Sequence, residues 1–127
     1  MHHKIYYIGI GWDALLSDVQ PSTVDQILDP LGDWIRLNDR TWLCSSLHSS
    51  GRLYEEIHQR LPQLDRVLVM AIDPTERFGL APQWIWEWID GQRQDPPKTA
   101  ADIIAAHSSA GGSGAQGSLR ANEAAEG

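Results

Sequence analysis

The first 93 residues alternate between short apolar runs and stretches with the spacing of amphipathic helices. Residues 5–12 and 66–72 are apolar at successive positions, which is typical of strands with apolar side chains on both faces. Two shorter apolar runs, 34–37 and 41–44, flank Asn38-Asp39-Arg40 and predict a β-hairpin. The pattern therefore predicts four strands, the first and last of which need cover on both sides.

Two stretches between these strands repeat apolar residues every three or four positions, as one face of a helix does. Their apolar positions are Val24, Ile27, Leu28 and Leu31 in the first stretch and Leu53, Ile57 and Leu61 in the second. Ser22 and Asp25 give the first a start resembling a capping box, and residues 49–51 open the second. We expect one helix in each stretch.

The segment QWIWEWID, residues 83–90, fits either a strand or a helix. A strand would place Trp84, Trp86 and Trp88 on one face, whereas a helix would align Trp84, Ile85, Trp88 and Ile89. Pro82 before the segment and Gly91 after it are placed as the ends of a helix require, so they favour the helix.

The order β-α-β-β-α-β plus a terminal Trp-rich helix predicts an α+β fold over residues 1–93. With such short connections, the simplest architecture is a ferredoxin-like sandwich: one antiparallel sheet with two helices on one face. The opposite face needs cover from the terminal helix or from a second protomer in a homodimer. The candidate interface residues are Trp84, Ile85, Trp88 and Ile89.

Residues 94–127 are rich in Ala, Gly and Ser, a composition that predicts a disordered tail. The net charge of −7 disfavours nonspecific binding of nucleic acid. A candidate basic stripe nevertheless consists of Arg36, Arg40, Arg52, Arg60 and Arg66, of which the first three are the candidate nucleic-acid contacts. The single cysteine indicates a reducing compartment. With no signal-peptide pattern and no apolar run long enough to span a membrane, we expect a cytoplasmic protein that does not bind membranes.

The segments YYIGIGW, DWIRLNDRTWLCSS and LYEEIHQRLPQLDRVLVMAID, followed by the Trp-rich segment, resemble the SinR-like branch of small CRISPR-associated proteins. These are short relatives of the "Cas-two" protein of spacer acquisition. The resemblance covers residues 4–90, and its best local marker is Arg40-Thr41-Trp42-Leu43. It implies a ferredoxin-like dimer acting in antiviral defence. In active members it also implies metal-dependent phosphodiester cleavage, with one Asp from each protomer at the end of the first strand.

This chain departs from that pattern at the metal ligand. Gly11 stands where the family Asp is expected, and the nearest carboxylate is Asp13. Mg²⁺ requires hard oxygen ligands, which a glycine side chain does not supply. Asp13 is therefore the candidate metal ligand, with Mg²⁺ or Mn²⁺ expected only if the chain is a nuclease.

Three hypotheses follow for the function. The first is a noncatalytic, dimeric structural or interaction module with no cofactor and with a protein partner. The second is a metal-dependent endonuclease, acting on RNA or DNA, with an Asp13 pair at the dimer interface and Arg36, Arg40 or Arg52 along a phosphate path. The third is a regulatory domain that binds a small ligand in an apolar pocket. The missing Asp and the acidic charge favour the first.

Overall fold

The computed structural model describes residues 3–13, 15, 19–94 and 96–109. These residues form an α+β fold with one four-stranded antiparallel sheet and four helices, as the sequence predicts at the level of fold class. The elements in chain order are β1 (Lys4–Gly11), α1 (Pro21–Leu28), β2 (Asp33–Asn38), β3 (Thr41–Ser46), α2 (Ser50–Arg60), β4 (Arg66–Ile72), α3 (Gln83–Gly91) and α4 (Ala100–Ser109).

The strands lie in the order β2-β3-β1-β4, so β1 is central and β4 is an edge strand. β1 pairs with β4 without a break in register from Ile5 opposite Ile72 to Gly11 opposite Arg66. β2 and β3 form the predicted hairpin, with one irregularity between Arg36 and Asn38. The central place of β1 agrees with its apolar residues on both sides.

One face of the sheet carries the core of the first 72 residues. Tyr6, Ile8 and Ile10 of β1 are buried there together with Val24 and Ile57 from the two helices. Val67 and Val69 of β4 pack against the same core. We call this the helix face, because both α1 and α2 supply its buried residues, and we call the other side the second face.

The helix starts agree only in part with the expected caps. Ser49 caps α2 as predicted, because its hydroxyl oxygen accepts a hydrogen bond from the Arg52 amide. The predicted capping box at Ser22 is wrong: α1 begins at Pro21, and its N-cap residue, Gln20, makes no side-chain capping bond. Proline at the first helical position presets the required φ angle, so the helix starts one residue before Ser22.

The chain divides into two compact units, of which the first ends at Ile72 and the second begins at Asp73. The sequence pattern predicts a domain boundary at residue 93 instead, where the apolar pattern gives way to the Ala-, Gly- and Ser-rich segment. In the second unit the Trp-rich segment is a helix, α3, as Pro82 and Gly91 indicate. Trp88 and Ile89 are buried on it.

Within the predicted tail, residues 100–109 form helix α4 rather than a disordered segment; residues 110–127 lie outside the described part. Thr99 and Asp102 form a capping box at its start, with each side chain accepting a hydrogen bond from the other residue's amide. The Gln92 side chain donates hydrogen bonds to the Trp88 and Lys98 carbonyl oxygens. These bonds join α3 to the segment that leads into α4. α4 packs on α3 and buries Ala100 and Ile103.

In the described part of the chain, none of the helices is both long and apolar enough to cross a membrane.

Replacing Ile103 with alanine should loosen α4 from the second unit, because Ile103 is 1% exposed. We expect a loss of about 2 kcal/mol or more in the free energy of unfolding, as for other buried Ile→Ala changes. Ile104→Ala is the matched control, since Ile104 is only partly buried. Denaturant unfolding followed by tryptophan fluorescence measures both. Equal, small losses in the two variants would contradict the docking of α4.

Candidate functional site

The feature that stands out on the first unit is a row of exposed apolar side chains on β4. Leu68, Met70 and Ile72 are 49%, 52% and 37% exposed. Because side chains alternate along a strand, these three share the second face, opposite the partly buried Val67 and Val69. We call them the β4 patch. Three adjacent large apolar side chains at a sheet edge are typical of a surface that binds another molecule.

Several apolar side chains elsewhere on the second face are buried. Ile5, Ile35 and Leu43, on β1, β2 and β3, are 4%, 0% and 6% exposed. Of the four strongly exposed large apolar side chains on the strands, three lie on β4, and the fourth, Leu37 at 39% exposed, lies near the end of β2.

Glycine in β1 increases the exposure of the patch. Gly9 lies opposite Leu68 and gives that leucine no cross-strand side chain. The Tyr7 ring lies over Gly9 instead, with its hydroxyl 3.0 Å from the place that a Cβ atom would take. Tyr7 is itself half-buried and stands opposite Met70. The ring thus extends the apolar surface of the patch from β4 onto β1.

The place of the expected metal ligand is occupied by a cation. A Cβ atom on Gly11 would lie 2.6 Å from Nη2 of Arg66 and 2.9 Å from Oδ1 of Asp65. The Arg66 guanidinium therefore lies over the end of β1. The guanidinium opposes the binding of a divalent cation here, whereas the Asp65 carboxylate at the same point attracts one.

Asp13, the candidate metal ligand, lies just after β1 and is exposed. Its Oδ1 accepts a hydrogen bond of 2.9 Å from the Leu15 amide, which is an Asx turn. Among the described residues, the His, Cys, Asp and Glu side chains form no group of three or more that could hold a metal ion.

The three candidate nucleic-acid arginines lie in different surroundings. Arg36 is interior: its side chain is 8% exposed and lies 3.5 Å from Asp25. Arg40 stacks over the Trp12 ring at 4.0 Å and donates to the Trp12 carbonyl oxygen. Arg52 is on the surface of α2 and pairs with Glu56 at 3.1 Å. Each of the three arginines thus contacts a different residue of the same chain.

The four predicted interface residues divide into two pairs. Trp88 and Ile89 are buried within the single chain, whereas Trp84 and Ile85 are partly exposed. The β4 patch was not among the predicted site residues. Its signal was present in the sequence, because residues 66–72 have apolar side chains on both faces and the two helices cover only one.

Arg77 connects the segment before α3 to that helix. Its guanidinium donates two hydrogen bonds to the Asp90 carboxylate, at 2.7 and 3.3 Å, and lies 5.1 Å from the centre of the Trp86 ring. The hydrogen bonds from Arg77 lower the pKa of Asp90 below its ordinary value of 3.8. Phe78 and Leu80, in the same segment, are fully exposed.

Comparison with protein-family models, with curated proteins and with solved structures finds no match for the chain. The family resemblance therefore stays a hypothesis that depends on the sequence segments quoted above.

Arg36→Ala should destabilise the first unit, because it leaves the Asp25 carboxylate, 14% exposed, without its ion-pair partner. We expect a loss of about 3 kcal/mol in the free energy of unfolding. Arg52→Ala removes the ion pair with Glu56, in which the Arg52 side chain is 54% exposed. This change should lower the free energy of unfolding by less than about 1 kcal/mol. Urea unfolding of both variants measures the difference. Equal effects would contradict an interior role for Arg36.

Acid should release the contact between Arg77 and Asp90. A lowered pKa in the folded chain means that this contact stabilises above the ordinary aspartate pKa of 3.8 and is lost as pH falls below it. The indole N–H signal of Trp86 in NMR spectra should therefore shift in that acid range. In Asp90→Asn the same signal should show no such step. Identical titrations of the two proteins would contradict the assignment.

Proposed function

We propose that this chain is a noncatalytic interaction module that acts as a homodimer through the β4 patch. The observation that carries the proposal is the row of Leu68, Met70 and Ile72, exposed beside Tyr7 at the β4 edge of the sheet. Monomeric proteins seldom leave such a row open to water, and methionine and aromatic residues are enriched where proteins bind each other.

We also propose that the first unit is a ferredoxin-like sandwich. The chain order β1-α1-β2-β3-α2-β4 and the sheet order β2-β3-β1-β4 support it. The shared core of α1 and α2 on one face supports it further. Membership of the SinR-like CRISPR-associated group, with a role in antiviral defence, is a proposal that depends on sequence resemblance alone.

The surroundings of Gly11 favour a noncatalytic role over the nuclease hypothesis. A metal at the end of β1 would meet the Arg66 guanidinium, and the Asp13 carboxylate accepts the Leu15 amide in a turn. A nuclease would need two Asp13 carboxylates to converge on one ion. The small-ligand hypothesis would need convergent polar groups in a concave apolar site. No contact among the described residues favours either over the interaction module.

The patch alone gives a modest driving force. Burying a half-exposed side chain of this size contributes about 1 kcal/mol, so six side chains from two copies contribute about 6 kcal/mol. Association costs roughly 4–15 kcal/mol in lost translational and rotational freedom. The patch can therefore decide where two copies meet, but further contacts must add to it.

Light scattering on the full chain tests the proposal. We expect the mass of a dimer, twice 14.2 kDa, at high protein concentration. Leu68→Ser should shift the equilibrium toward the monomer by roughly tenfold, because it removes an exposed contact without touching the core. Leu47→Ser is the matched control, since Leu47 is 50% exposed and Leu68 is 49% exposed. A wild-type chain that is monomeric at every concentration contradicts the proposed function.

A further inference from the structure

β4 is an edge strand that lacks the usual protection against pairing with another chain. In the described part of the chain it pairs with β1 on one side only. Residues 67–72 contain no charged residue and no proline, and the register with β1 runs through all seven residues without a bulge. Natural edge strands are usually interrupted by one of these features. The outer side of β4 therefore presents a regular row of backbone donors and acceptors.

A second copy of the chain can satisfy that row. It brings the same strand, whose side chains have no charge between Val67 and Ile72, and its backbone groups would add to the apolar contacts of the patch. We infer that β4 pairs with β4 of a second copy and joins the two sheets into one of eight strands. This inference rests on the proposed homodimer and names the contact that forms it.

The direction of the pairing follows from symmetry and charge. In a symmetric dimer a two-fold axis perpendicular to the sheet makes the two β4 strands antiparallel and leaves both patches on the same side. Arg66 is the only charged residue in β4. Antiparallel pairing separates the two Arg66 residues by about 20 Å, whereas parallel pairing would place these like charges side by side.

The register follows from the length of the strand. β4 has seven residues, so pairing centred on Val69 lets every residue find a partner. That register places Leu68 of one copy opposite Met70 of the second copy. The two-fold axis repeats this contact, so it occurs twice in the dimer. Cross-strand neighbours on the same face contact each other directly, so the two patches join into one continuous apolar strip.

A charge exchange tests this register. Leu68→Lys and Met70→Glu each place a charge opposite an apolar side chain at both symmetric contacts, and each should raise the dimer dissociation constant roughly tenfold or more. In the double variant Leu68→Lys/Met70→Glu, each new lysine faces a new glutamate of the other copy. The double variant should therefore recover the wild-type dissociation constant to within about threefold.

The controls separate folding from pairing. Both positions are about half exposed, so circular dichroism and thermal unfolding of the variants should match those of the wild type. Leu47→Lys, which introduces the same charge at a leucine of equal exposure, should leave the dissociation constant unchanged. Hydrogen exchange adds an independent measurement, because edge pairing should protect the β4 amides that do not bond to β1, more strongly at higher protein concentration.

The outcomes distinguish the two proposals. Loss of the dimer in both single variants, with recovery in the double variant, supports edge pairing centred on Val69. A wild-type dimer that the double variant does not recover overturns this inference and leaves the homodimer standing, with the two sheet faces stacked instead. A wild-type monomer overturns both.

Discussion

Side chains on a β-strand alternate between two faces, and one face of this sheet is committed to α1 and α2. The core on that face contains Ile8 of the central strand and holds Val67 and Val69 of β4 against it. Once those two valines point inward, Leu68 and Met70 must point the other way. The position of the patch on the second face is therefore a consequence of the core. A sequence with polar residues at these positions would form the same core without exposing an apolar surface, so the core alone does not explain the choice of apolar residues there.

Much of the first unit, and helix α3 of the second, can be predicted from the sequence because strong local patterns agree with the packing. The strands, both helices of the core and the helical state of residues 83–90 all follow from apolar spacing and from glycine and proline at the ends. Helix α4 is different: among its residues 100–107, for which burial is described, only Ala100 and Ile103 are buried, and most of the others have small or polar side chains. The clearest local signal for α4 is the capping box formed by Thr99 and Asp102. A capping box can be recognised only where a helix is expected, and the composition of this segment does not predict one.

The role of Arg36 shows why the candidate site was harder to predict than the fold. A charged residue in a short strand is ordinarily interpreted as solvent-exposed, and alternation with Trp34 alone does not show which face the helices cover. The partner of Arg36, Asp25, shows that this arginine lies on the helix face. The Asp25 carboxylate also accepts a 2.8 Å hydrogen bond from the Trp42 indole nitrogen. Asp29 accepts the Trp34 indole in the same way, at 2.7 Å. Two acidic residues near or on α1 thus satisfy two buried indole N–H groups, and Arg36 offsets the charge of Asp25.

The packing at the end of β1 also determines whether a metal could bind there. Two glycines there let neighbouring side chains fold over the backbone, Tyr7 over Gly9 and Arg66 over Gly11. Substituting Gly11 by aspartate would place a carboxylate against a guanidinium, and these two groups form a strong ion pair that competes with a metal for the same oxygens. A metal site at this position would therefore need Arg66 to change as well. Because Arg66 is also the first residue of β4, the charge that opposes a metal at the strand end belongs to the same strand that we propose binds a second copy.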